Sequence, residues 1–97
     1  MKLIKLLWDE ENRAHIARHE VTPEEVEEIC TCEDPKPRIE KGKKSRNRPG
    51  LNLYYVLGKT AGGRYIFIVF RPKRKGEARV ITAREMDSKE RSRYGRR

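Results

Sequence analysis

Two histidines four residues apart, His15 and His19, and the arginines Arg64, Arg71, Arg79 and Arg84 are the groups whose types and spacing suit chemistry in this chain. At i and i+4 of a helical stretch the two imidazoles share a face. That spacing could bind zinc, but there is no His-Glu-x-x-His motif and no evident third ligand, so neither metal nor cofactor is expected. An imidazole can instead move protons, because histidine titrates near neutral pH. For His19 the expectation is that it caps its helix and packs against the sheet. Arg64 opens one apolar run, Arg71 ends it, and Arg79 and Arg84 lie on the next. Guanidinium groups gathered on a sheet surface suit phosphodiester chemistry, because they clamp a phosphate and stabilise the charge of its pentacoordinate transition state without a metal. The base and acid for attack by a 2′-hydroxyl could come from His15, Glu90, Tyr94 or a lysine, none of them singled out by spacing. For any one arginine, pairing of Arg79 or Arg84 with Glu85, Glu90 or the acidic helices is the competing expectation. Cys30 and Cys32 stand too close for an unstrained disulfide and read as free thiols at a helix end.

The elements that must position these groups follow from patterning. Leu3, Ile4, Leu6 and Leu7 suit a short strand ended at Trp8 and Asp9. Asp9 is an N-cap, with Glu10 and Glu11 in the first turn, for a helix to about His19 that puts Asn12, Ile16 and His19 near one face. Thr22-Pro23-Glu24-Glu25 is a capping box with proline at the first helical position, predicting a helix from Pro23 to about Cys32. Residues 33–50 hold prolines, glycines and almost nothing apolar, which predicts a basic, mobile loop. Alternation at Leu51, Leu53, Tyr55 and Leu57 predicts a strand. The run from Arg64 to Arg71, apolar on both faces, predicts a central one, and Ala78 to Arg84 a third, joined by short turns into an antiparallel meander. Asp87-Ser88-Lys89-Glu90 opens a short helix to Tyr94. The expected order is β-α-α-β-β-β-α, an α+β fold in one domain over residues 1–97.

Charge says what such a domain meets. The chain has 97 residues with 24 Lys and Arg against 15 Asp and Glu, net +9. Residues 1–34 hold 4 basic and 10 acidic residues, net −6; residues 35–49 hold 7 and 1, net +6; residues 71–97 hold 11 and 4, net +7. A polyanion such as RNA fits the basic part, since each neutralised phosphate releases counterions. Large multi-domain enzymes are excluded by size. No apolar run approaches the roughly 20 residues of a membrane span, and the opening is too short for a signal-peptide core, so a cytoplasmic protein without membrane contact is expected. Tyr54, Tyr55, Tyr65 and Phe67 interleave with the arginines, as core or as stacking partners for bases.

The segments Leu7-Trp8-Asp9-Glu10, His15-Ile16-Ala17-Arg18-His19, Val21 to Glu28, the turn Gly58 to Arg64 and Val80-Ile81-Thr82-Ala83-Arg84, followed by Lys89-Glu90-Arg91 and Tyr94, resemble in order and spacing the BrnT family of type II toxins. The resemblance runs nearly end to end. It implies a RelE-like fold with a small curved antiparallel sheet backed by two N-terminal helices. It also implies a ribonuclease that inhibits translation, acting on RNA that includes ribosome-bound mRNA. A BrnA-like ribbon-helix-helix antitoxin would neutralise it, and operator DNA would be reached only through that antitoxin. By position, Arg64 matches the arginine after the glycine turn, Arg84 that of the Thr-Ala-Arg segment, Glu90 and Tyr94 the C-terminal Glu-x-x-x-Tyr pattern, and His15 and His19 the helix motif. Two positions depart: Glu20 stands where the family pattern has glycine after the second histidine, and Leu51-Asn52-Leu53-Tyr54 where it reads Gly-Arg-Tyr, leaving a basic position apolar unless Arg46 or Arg48 replaces it.

The leading expectation is therefore a metal-independent endoribonuclease toxin. Arg84 and Arg71 hold the phosphate, and His15, His19, Glu90 or Tyr94 move protons. Lys43, Lys44, Arg46, Arg48, Arg64, Lys73 and Arg79 bind RNA. The alternatives are a catalytically degenerate nucleic-acid-binding module that still pairs with an antitoxin, and a structural, ribosome-associated basic protein.

Overall fold

Each helix begins at a reciprocal cap. Ahead of α1 (Glu10–Ala17), the Asp9 side chain accepts the Asn12 N–H at 2.9 Å while the Asp9 N–H donates to Asn12 Oδ1 at 2.8 Å. Ahead of α2 (Pro23–Thr31), Glu25 N–H donates to Thr22 Oγ1 at 3.2 Å and Thr22 N–H to Glu25 Oε1 at 3.1 Å. Ahead of α3 (Ser88–Gly95), Asp87 and Glu90 exchange the same pair of bonds at 2.8 and 2.9 Å. Satisfying the first-turn amides in this way starts short helices that propensity alone would leave marginal. The computed structural model describes residues 5–31, 37–44, 52–73 and 76–95.

Five strands form one sheet: β1 (Lys5–Leu7), β2 (Arg38–Lys44), β3 (Asn52–Lys59), β4 (Tyr65–Pro72) and β5 (Glu77–Glu85), in the order β1-β5-β4-β3-β2. The chain is α+β, as expected, but the sheet is mixed. β2 to β5 make the antiparallel meander, whereas β1 lies parallel to β5, with Leu6 opposite Ala78. The two helices after β1 carry the chain over the sheet, so β1 enters at the far edge in the same direction as β5.

Of the basic loop expected over residues 33–50, residues 33–36 and 45–50 lie outside the described residues, and the part that is described is not a loop. Residues 38–44 form β2, paired to β3 with Ile39 opposite Val56 and Glu40 opposite Tyr55. An edge strand needs only one neighbour's backbone and little apolar surface, so composition underrates it. Arg38 and Arg93 both donate to Glu40, at 2.7 and 3.3 Å, tying this edge to α3. α1 ends at Ala17, two residues short of the expected His19, because residues 18–20 turn and Glu20 takes φ +60°. Leu3, Ile4, Cys32 and Leu51 lie outside the described residues.

The sheet has two apolar faces. Ile16, Val21, Val26 and Ile29 pack on Val56, Ile66, Ile68, Phe70, Val80 and Ala83. On the other face α3 covers one end, where Tyr94 and Met86 meet Leu57 and Phe67. β4 is thus central and apolar on both sides, as its sequence requires. No helix among the described residues is long and apolar enough to cross a membrane.

Candidate active site

One buried amide places α1. Asn12, 2% exposed, donates from Nδ2 to the carbonyls of Leu7 and Val80, both at 3.0 Å. Leu7 is where β1 stops, and Val80 is where β5 loses that neighbour. Just beyond, the register shifts from Phe70–Val80 to Val69–Thr82, leaving Ile81 as the extra residue of a bulge. α1 is therefore fastened beside the exposed edge of β5. His15 and Arg18, three and six residues on from Asn12, line the resulting cleft of about 650 Å³ with Glu11, Arg71, Arg79 and Ile81.

Arg71 and Arg79 sit directly opposite one another on β4 and β5. Like charges so placed repel. Asp9 relieves one of them, pairing with Arg79, whose guanidinium in turn holds the Asp9 carboxyl below the usual carboxylate range, helped by the Asn12 backbone N–H. Arg71 receives no such relief. Its Nε is buried and has no hydrogen-bond partner among the described residues, and no described carboxylate pairs with it. A guanidinium that lines a basic cleft and that no described carboxylate neutralises has the charge and geometry to receive an oxyanion.

The remaining predicted residues are elsewhere. Arg84 forms a two-pronged pair with Glu90, at 2.9 and 2.8 Å, and lies 4.5 Å above the Phe67 ring. Tyr94 is buried and meets Tyr65 edge-on at 6.0 Å. Arg64 donates to both Glu25 oxygens at 2.8 Å, to the Glu20 carbonyl at 2.9 Å and to Glu85 at 3.1 Å, joining α2 to the sheet. His19 does not pack against the sheet. It is exposed, edge-on to His15 at 5.5 Å, and lines a depression of about 280 Å³ with Arg18, Glu20, Arg84 and Glu85. Lys73 is exposed just past β4. Lys43 and Lys44 belong to the backbone of β2, while Arg46 and Arg48 lie outside the described residues.

The fold thus divides the predicted set, bringing Arg71, Arg79 and His15 together and leaving Arg84, Glu90 and Tyr94 with α3. Sequence reasoning missed Arg18, which lines both depressions; its position three residues after His15 on one helix face was the available signal. It also missed the anchoring role of Asn12, which no local pattern reveals. Cys30 is a free, partly buried thiol, pushed up to about 12 by burial and then by Glu27, and so chemically quiet. Among the described residues no group of three or more His, Cys, Asp or Glu could hold a metal ion.

Fold and site together define a small basic α+β protein with an arginine-lined cleft at a sheet edge and an imidazole on its rim. Residues 8–90 match the family model described as the ribonuclease toxin, BrnT, of type II toxin-antitoxin systems, and the chain belongs to this family. Membership implies an RNA substrate and an antitoxin partner. No curated protein matches the sequence.

Proposed function

We propose that this chain is a one-domain endoribonuclease toxin, a mixed-sheet variant of the RelE-like fold, that cuts RNA without a metal and inhibits translation in the cytoplasm. The observation that carries the reading is Arg71, paired with no carboxylate among the described residues, in a cleft shared with Arg79, Arg18 and His15. Arg71 and Arg79 bracket the scissile phosphate, and Arg18 adds positive charge from the helix side. His15 takes the proton of the attacking 2′-hydroxyl. The new bond from O2′ to phosphorus gives a 2′,3′-cyclic phosphate, while the bond to O5′ breaks and that oxygen leaves with a proton from water in the open cleft. Charge growing on the phosphoryl oxygens is met by guanidinium groups already in place, which is where rate enhancement arises. A BrnA-like ribbon-helix-helix antitoxin that itself reaches operator DNA would silence the basic cleft by covering it with acidic or amphipathic chain.

The test is incubation with free RNA and with translating ribosomes in EDTA, beside Arg71→Ala and His15→Ala, with the new ends mapped. Cleavage by the wild type alone, leaving cyclic phosphate and 5′-hydroxyl ends, is expected. Undiminished cleavage by Arg71→Ala would move the site elsewhere. Because Arg84 and Glu90 are committed to each other, a chain that binds RNA and an antitoxin without cutting is the second reading, and tight, salt-sensitive binding with no new ends would establish it.

A further inference from the structure

Tyr54, Tyr55, Tyr65 and Phe67 stand among arginines in the sequence, and the fold gives them different surroundings. Tyr54 stacks on Phe70 on the face covered by α1 and α2. Phe67 is buried beneath Arg84, and Tyr65 lies beneath Arg91 and against Tyr94. Tyr55 differs. It is half-buried on the α3 side of the sheet, in the part that also leaves Leu53 and Ile81 half-buried.

We infer that Tyr55, flanked by Leu53 and Ile81, is the platform on which one unpaired RNA base lies while the adjoining phosphate sits at Arg71 and Arg79. The inference rests on the ribonuclease reading and names what that site recognises, a single-stranded nucleotide with its base turned out. Tyr55 is opposite Val69, and Arg71 lies two residues further along β4 on the same face, roughly 7 Å away along the strand. Tyr55 therefore stands one diagonal step across the sheet from Arg71. The ring is also seated firmly. A Cβ at Gly42 would come within 2.7 Å of Tyr55 Cε1 and Cζ, so the glycine of β2 makes room for it, and Phe67 supports it at 5.0 Å between centroids. Glu40, opposite Tyr55, is the nearby anion that would repel RNA, and Arg38 and Arg93 neutralise it. Aromatic surface beside fixed positive charge is the combination that binds single strands, because every base offers a stacking face. Ile81 joins this surface from the bulge of β5.

The experiment uses two probes, a 2′-O-methyl oligoribonucleotide of mixed sequence, which cannot be cleaved by its own 2′-oxygen, and the same strand with abasic sites throughout. Affinities are measured by fluorescence anisotropy. The wild type is expected to prefer the base-bearing strand about tenfold. Tyr55→Phe keeps that preference, Tyr55→Leu abolishes it, and Arg71→Ala weakens both strands equally. Leucine retains apolar bulk at the site, and a thermal melt shows that the variant is folded. Gly42→Ala, which displaces the ring without removing it, is the second probe and is expected to lower the preference as well. An unchanged preference in folded Tyr55→Leu overturns the platform, as does equal weakening of both strands, which would assign the patch to packing or to protein contact. If the wild type cleaves RNA while either of those results holds, only the platform fails. If it binds neither strand and cuts nothing, the ribonuclease reading fails first.

Discussion

Arg84 and Glu90 face each other through two parallel bonds, Nη1 to Oε1 at 2.9 Å and Nη2 to Oε2 at 2.8 Å, with the Glu90 side chain only 8% exposed. The arginine of the Thr-Ala-Arg segment is therefore a fastener for α3. Glu90 also closes the cap of that helix on Asp87. Arg84→Ala would leave a buried carboxylate without its partner. Since Arg84 itself is more than a third exposed, the expected cost is about 2 kcal/mol, below that of a fully buried pair. Urea denaturation measures it, and Glu90→Gln in the Arg84→Ala background should recover part of the loss by removing the stranded charge.

Glu20 holds φ +60°, a left-handed conformation that costs an ordinary side chain and suits glycine. It sits just past α1, where helices commonly end in this way. Glu20→Gly is expected to stabilise the chain by about 1 kcal/mol, read as an upward shift in melting temperature. No gain would mean that a side-chain contact offsets the strain.

Gly58 of β3 lies against Ile29 of α2. A Cβ there would run into the Ile29 side chain, which is fully buried. Gly58→Ala should cost about 1–3 kcal/mol as overpacking. The signature is non-additivity: Ile29→Ala should cost less in the Gly58→Ala background than in the wild type, because it removes the clash as well as the packing.

The Asp9–Arg79 pair carries a pH dependence. Arg79 holds the Asp9 carboxyl below its ordinary value, so the pair's contribution is present above the unfolded-state value and is lost as pH falls through the lower, folded-state one. Melting temperature should therefore drop below about pH 4, and more shallowly in Asp9→Asn than in the wild type. Equal slopes would show that other carboxylates govern acid unfolding.

How much was legible in the sequence differs from element to element. The three caps were, because each is written within four residues and satisfied by backbone amides that any helix start exposes. So was the central position of β4, whose unbroken apolar run can only be buried on both faces. β2 was not: Arg38, Lys41, Lys43 and Lys44 read as solvated chain, and only the free edge of β3 turns them into a strand.

The chain by itself determined its helix starts, its apolar strands, its basic balance and its family, since these depend on neighbours in sequence or on ordered motifs. The membership of the cleft was decided only by tertiary structure. Which arginine is left without a carboxylate depends on what lies across the sheet or along a helix: Asp9 reaches Arg79 from 70 positions away, Glu25 reaches Arg64 from 39, and Glu90 reaches Arg84 across the start of α3. Arginines alike in sequence thus differ by the partners that folding supplies, and to Arg71 none of the described carboxylates comes.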